Sequence, residues 1–240
     1  MKKRSNTEKI GIIVAVISIT AALLCFGYVG IYYYKGAEFT KNNSRVVEEV
    51  SQYFFNDDLK KEDDSIRDSG DIAVKSGLDE EIQAGIEKLQ KYNKDSVGWL
   101  LIEGTDISYP VVQCQDNEYY LSHNFNGETD KHGCLFLDYR NDLGEDDASQ
   151  AYIIYGHNMK DGTQFGGLKK FYDEEYRKEH RVAHFYTNKG DKQYELYDVI
   201  TWKPGDDNVY DITFEPTRLV LSTCTSNNRR QILVFRAVNE

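Results

Sequence analysis

Cys224 closes the run Arg218-Leu-Val-Leu-Ser-Thr-Cys224, and a second apolar run, Gln231 to Val238, follows a polar loop that ends in Arg229 and Arg230. Two runs rich in β-branched and large apolar residues, separated by a few polar ones, predict paired strands. The thiol then stands where a strand opens into solvent, with two guanidinium groups within six positions. Positive charge beside a thiol lowers its pKa from about 8.5 and enlarges the share of nucleophilic thiolate at neutral pH. A cysteine ending a core strand is more often a small apolar residue, and the hairpin alone leaves both readings open.

A cysteine nucleophile needs a base or an ion-pair partner, usually a histidine delivered by the fold. Of the five histidines, His123, His132, His157, His180 and His184, only His157 follows an apolar run, Ala151-Tyr-Ile-Ile-Tyr155, and a glycine, and opens a polar loop. Its imidazole is therefore expected to emerge at a strand end, as Cys224 does. The other four read as hydrogen-bonded surface histidines at turns. Side chains on a strand alternate in direction, so only one of Arg229 and Arg230 can share a face with Cys224.

The elements that must hold these groups are short. Trp99 to Glu103, Tyr109 to Gln113, Cys134 to Tyr139, Ala151 to Gly156, Arg181 to Thr187, Gln193 to Trp202, Leu219 to Cys224 and Ile232 to Val238 are runs bounded by Gly, Asn, Asp and Pro. Eight such runs predict a mainly β fold, a closed or nearly closed β-barrel, with a helical insert near Gln164 to Lys178. Ahead of it, spacings of three and four predict an amphipathic helix over Thr40 to Phe55 and another over about Asp79 to Asn93. The polar stretch Asn56 to Gly77 reads as a flexible spacer.

Ile10 to Tyr34 is a run of 25 residues without a charge, and about 20 apolar residues in a helix cross a bilayer. Lys2, Lys3, Arg4 and Lys9 against Glu8 form the basic flank expected on the cytoplasmic side, and Tyr28 and Tyr32 to Tyr34 the aromatic belt at the interface. The run is too long, and too apolar at its end, for a cleaved signal peptide. The expected organisation is a cytoplasmic tail over 1–9, a single transmembrane anchor over 10–34, an extracellular helix and spacer over 35–77, and an extracellular catalytic domain over 78–240.

Net charge is −11, and the basic tail contributes +3, which leaves −14 on the rest. That argues against a nucleic-acid partner, which needs a basic face. Cys25 lies in the apolar run, so an odd three cysteines remain: either Cys114 and Cys134 pair and leave Cys224, or all three are free. The absence of any Cys-x-x-Cys speaks against structural zinc, and the acidic loop Glu145-Asp146-Asp147 lacks the Asp-x-Asp-x-Asp-Gly pattern of a calcium loop.

Leu221-Ser222-Thr223-Cys224-Thr225 resembles the nucleophile motif of sortases, membrane-anchored cysteine transpeptidases of Gram-positive bacteria. Tyr155-Gly156-His157-Asn158-Met159-Lys160-Asp161-Gly162 with Phe165-Gly166 is similar to the catalytic-histidine segment of class B sortases. Tyr109 to Gln113, Asp116 to Leu121 and Leu137 to Asn141 also resemble segments of that class. The likeness covers about Leu78 to Val238. It implies the family's eight-stranded barrel and a site of Cys224, His157 and an arginine, with no cofactor and no metal.

In that scheme Cys224 attacks the threonine carbonyl of a sorting signal carried by a secreted protein, His157 moves protons, and the arginine steadies the oxyanion. The acceptor is the amine of a peptidoglycan precursor. The residues after Arg230 align with the family's last strand, so Arg230 is the expected arginine. The resemblance also assigns Asn117, Leu121 and Ser222 to the substrate groove, where the residues by themselves read as a turn cap and a core residue for the first two. One departure is the stretch Lys203 to Thr217, with Pro204, Gly205 and Pro216, too short and broken for the long helix of class B enzymes. The competing readings are a pilin-polymerising enzyme with a lysine acceptor, a thiol protease with water as acceptor, and a non-catalytic surface binding module.

Overall fold

The computed structural model describes residues 15–31, 34, 46, 49–54, 71–144, 151–203, 206, 210, 217–224 and 229–238, with the main chain alone at 71–78 and 224. The chain divides into two units, Met1–Asn42 and Asn43–Glu240. In the first, residues 15–31 form helix α1, whose side chains are exposed. The ends of the expected anchor, 10–14 and 32–33, lie outside the described residues, and among those described no helix is long and apolar enough to cross a membrane.

The second unit is a closed eight-stranded barrel in the order β1-β2-β3-β4-β7-β8-β6-β5. Its strands are β1 (Ser96–Ile102), β2 (Ser108–Val112), β3 (Phe136–Leu137), β4 (Ala151–Tyr155), β5 (Val182–Thr187), β6 (Gly190–Trp202), β7 (Arg218–Cys224) and β8 (Arg230–Ala237). Each overlaps one of the eight runs read from the sequence. Alternation along β7 explains why both of its faces are apolar. Leu219 and Leu221 join Tyr152, Ile154, Leu233 and Phe235 in the barrel core, while Val220 meets Ala151, Ile153, Ile232 and Val234 on the outer face.

A second core lies outside β1 and β5. Helix α2 (Asp71–Tyr92) presents Ile82, Ile86 and Leu89 to Trp99 and Tyr186, together with Val46, Val50 and Phe54 from the segment before it. Phe54 stacks on Trp99 with ring centroids 5.2 Å apart. The helix starts at Asp71, so residues 71–77 of the expected spacer are helical; 55–70 lie outside the described residues. Extending an existing helix adds one hydrogen bond per residue ordered, whereas starting one is costly, which carries α2 into the polar stretch. The insert between β4 and β5 is a 3-10 helix, Phe165–Tyr172, followed by α3 (Glu174–Glu179), which Asp173 caps by accepting from the Tyr176 amide.

Two of the four histidines read as surface turns are buried. His184 lies within β5, 4 % exposed, between Asp191 and Glu103, and His132 is 1 % exposed with Nδ1 2.6 Å from Asp130 Oδ1. Carboxylate partners offset the cost of removing an imidazole from water, an arrangement no local pattern announces. Cys114 and Cys134 are free thiols. The acidic loop 145–147 lies outside the described residues, as does most of 203–217.

Candidate active site

Three neighbouring strands, β4, β7 and β8, bring the chain-distant residues to one rim of the barrel. β4 and β7 run parallel with Tyr155 opposite Ser222, and His157 and Cys224 each follow that pair by two residues. The ladder continues past the strand end: the Gly156 amide donates to the Ser222 carbonyl at 3.2 Å, and the Thr223 hydroxyl to the Gly156 carbonyl at 2.8 Å. On its other side β7 pairs antiparallel with β8, and Cys224 stands directly opposite Arg230. Directly opposed residues of an antiparallel pair share a face. Arg229 precedes the ladder and is exposed.

By alternation, position 224 falls on the outer face that carries Val220 and Ser222. Thr223 and its partner Gln231 take the opposite face, where Gln231 Nε2 donates to the Leu168 carbonyl at 2.7 Å.

His157 leaves β4 through Gly156, where a Cβ would come within 2.7 Å of the Phe165 ring. The loop then folds back on itself. The Met159 and Phe165 amides both donate to the His157 carbonyl at 3.1 Å, and Asn158 bridges Gln164. His157 Nε2 lies 2.9 Å from the Leu121 carbonyl. A carbonyl only accepts, so Nε2 is the donor in this contact and Nδ1 is the ring's other nitrogen. Leu121 itself is 44 % exposed; it is no core residue.

The floor beside this rim is a polar knot around Asp138, which is fully buried. Its carboxylate accepts from Arg140 Nε and Nη2 at 2.8 Å each, from the Tyr155 hydroxyl at 2.8 Å, and from Asn117 Nδ2 at 3.0 Å. Burial pulls its pKa up, but the bonds from Arg140 and Tyr155 outweigh burial and hold it below the usual carboxylate value. Burial, with Asp138 adding to it, pushes the Tyr155 phenol well up, so Tyr155 stays a donor. Arg140 reaches on to the Tyr210 carbonyl at 3.1 Å, and the Tyr210 hydroxyl sits 3.0 Å from Ser222 Oγ. Asn117 also accepts from the Tyr139 amide at 3.0 Å.

Of the residues singled out in the sequence, His157, Cys224 and Arg230 occupy one rim, with Leu121 against the imidazole and Ser222 two positions before the cysteine. Asn117 reaches the same region through Asp138. The sequence assigns no site role to Asp138, Arg140, Tyr155, Gln164 or Tyr210. Asp138, Arg140 and Tyr155 are visible in the sequence only as parts of motifs.

A closed barrel with a cysteine, a histidine and an arginine position on one rim defines a cysteine-centred β-barrel site. A family model described as Sortase domain matches residues 100–239, and the chain belongs to the sortase family. It is 39 % identical over 127 residues to Sortase B of Listeria monocytogenes, covering 53 % of this chain and 51 % of that one. With Sortase B of Staphylococcus aureus it shares 33 % over 118 residues, 49 % and 48 % of the two chains. The chain thus spans about half the length of the curated relatives it matches. Among solved structures, sortase B of Bacillus anthracis superposes with a TM-score of 0.55 at 32 % identity, over 65 % of this chain and 85 % of that one.

Proposed function

We propose that this chain is a cysteine transpeptidase that joins secreted proteins to a peptidoglycan-precursor amine. One observation supports the reading: Tyr155 pairs with Ser222 and Cys224 with Arg230, and His157 and Cys224 each follow the Tyr155–Ser222 pair by two residues. The Cys224 thiolate attacks the carbonyl carbon of the threonine in a sorting signal, and a C–S bond forms. As the tetrahedral adduct collapses, the C–N bond to the next residue breaks and the leaving amine takes a proton from His157. The incoming amine then gives its proton to His157, attacks the thioester, and expels the thiolate as a new amide forms. One group serving as acid and then as base is what this cycle needs. The Nε2 contact with Leu121 supports Nδ1 as the nitrogen in that traffic.

Arg230 holds the developing oxyanion with a fixed guanidinium fork. Leu121, Ser222 and Asn117 line or support the groove for the signal peptide, which the class B likeness suggests is of the form Asn-Pro-x-Thr. Residues 10–34 anchor the protein in the cell membrane as a single pass, with the amino terminus inside and the barrel outside; the basic flank and uncharged run support this. Resistance of the full chain to alkaline extraction from membranes tests the anchor, and release into the soluble fraction would refute it.

The activity is tested by incubating the solubilised full chain with an Asn-Pro-x-Thr peptide and a glycine or diaminopimelate-bearing amine. Amine-dependent ligation that vanishes in Cys224→Ala is expected. Cleavage indifferent to amine would mean a thiol protease, ligation only to a protein lysine a pilin-type enzyme, and no thioester a binding module.

A further inference from the structure

Gln164 is the one non-glycine residue with positive φ among the described residues, at φ 49° and ψ −124°. Such a backbone conformation in a residue with a Cβ persists only where its surroundings over-determine it. Those surroundings are hydrogen bonds on every side. Gln164 is 1 % exposed. Its Oε1 accepts from the His157 amide at 3.0 Å, and its backbone amide donates to the Tyr109 hydroxyl at 3.1 Å. Its Nε2 donates to the His132 carbonyl at 2.5 Å and lies 3.4 Å from that of Gly133.

These contacts join two walls. One is the loop that carries His157, closed on itself by the Phe165 amide and the Asn158 bridge. The other is the connection from β2 to β3, where the Cys134 amide donates to the Tyr120 carbonyl at 3.2 Å. Its next carbonyl, that of Leu121, receives the imidazole Nε2. The carboxamide therefore grips the main chain of His157 and the very segment that holds the far end of its ring.

We propose that Gln164 is the positioning residue of His157, fixing the imidazole in its Nε2–H form with Nδ1 turned to proton transfer. This rests on the reading of His157 as the acid and base of the reaction. A small displacement of a reacting group, of order 1 Å, costs about 10²-fold in rate.

The test uses the solubilised full chain with nitrogen-labelled histidine, in wild type, Gln164→Ala and Gln164→Gly. Glycine accepts positive φ freely but lacks the carboxamide, so it separates positioning from backbone fit. Long-range proton–nitrogen spectra are expected to show a single Nε2–H signature for His157 in wild type, and averaged tautomers in both variants. Turnover in the ligation assay is expected to fall about 10²-fold in both, with an altered pH profile, although Gln164→Gly unfolds at or above the temperature of Gln164→Ala. An unchanged His157 signature in Gln164→Gly overturns the proposal whatever the turnover. A wild type that never ligates, but whose variants lose the signature, refutes the transpeptidase reading and upholds the placement of the ring by Gln164.

Discussion

Cys224 and Arg230 are direct cross-strand partners in the β7–β8 ladder, the last pair before the loop between them. Positions so paired share a face, and the neighbour of either falls on the other face or outside the ladder. The choice between two adjacent arginines is thus a matter of register.

Arg230→Ala is expected to lower the ligation rate on the order of 10² to 10³-fold, the usual loss when an oxyanion donor is removed. Arg229→Ala is expected to leave it nearly unchanged. Steady-state kinetics of the two variants check this, and the opposite ranking would show that the guanidinium in use lies outside the ladder.

Asp138→Asn removes the charge that pairs with Arg140 and receives the Tyr155 hydroxyl. The carboxyl of Asp138 is held below its ordinary value, so its contribution is present above about pH 3.9 and is lost as pH falls through the folded value. A loss of about 3 kcal/mol is expected near pH 7, as for a broken buried ion pair, shrinking toward zero in acid. Denaturant titrations at pH 7 and pH 3 measure both; a gap independent of pH would contradict the assignment.

His184 behaves in the opposite sense. Burial lowers its pKa, but hydrogen bonds and charge from Asp191 and Glu103 prevail and raise it. The stability this provides is complete below about pH 6.5 and fades as pH climbs through the raised value. The difference in unfolding free energy between wild type and His184→Gln is expected to be larger at pH 6 than at pH 9. A larger gap at pH 9 would mean that the imidazole is buried neutral.

Burial pushes the Cys134 thiol well up and raises that of Cys114, which donates to the Asp116 carbonyl at 3.2 Å. Both remain protonated at pH 7, and only the thiolate is the nucleophile. Iodoacetamide at pH 7 is expected to modify Cys224 ahead of both, as read by mass spectrometry of the peptides. Preferential labelling of Cys114 would remove the case for an activated Cys224.

Much of the molecule is legible in its residues taken one stretch at a time. Alternating and β-branched runs punctuated by Gly, Asn, Asp and Pro mark all eight strands, because strand propensity and turn chemistry act over a few neighbours. The same local signals set Cys224 and His157 at strand ends, and the spacing of Ile82, Ile86 and Leu89 marks the packed face of α2.

What the tertiary structure alone decided is which ends meet. Closure of the barrel inserts β7 between β4 and β8, and this pairing sets Tyr155, two residues before His157, opposite Ser222, and Cys224 opposite Arg230. The Asp138 knot, the two carboxylates around His184 and the grip of Gln164 on His157 arise in the same way. Each also ties in a segment far along the chain, Asp138 to Asn117 and Tyr155, His184 to Glu103, and Gln164 to His132, so no short window contains the whole interaction.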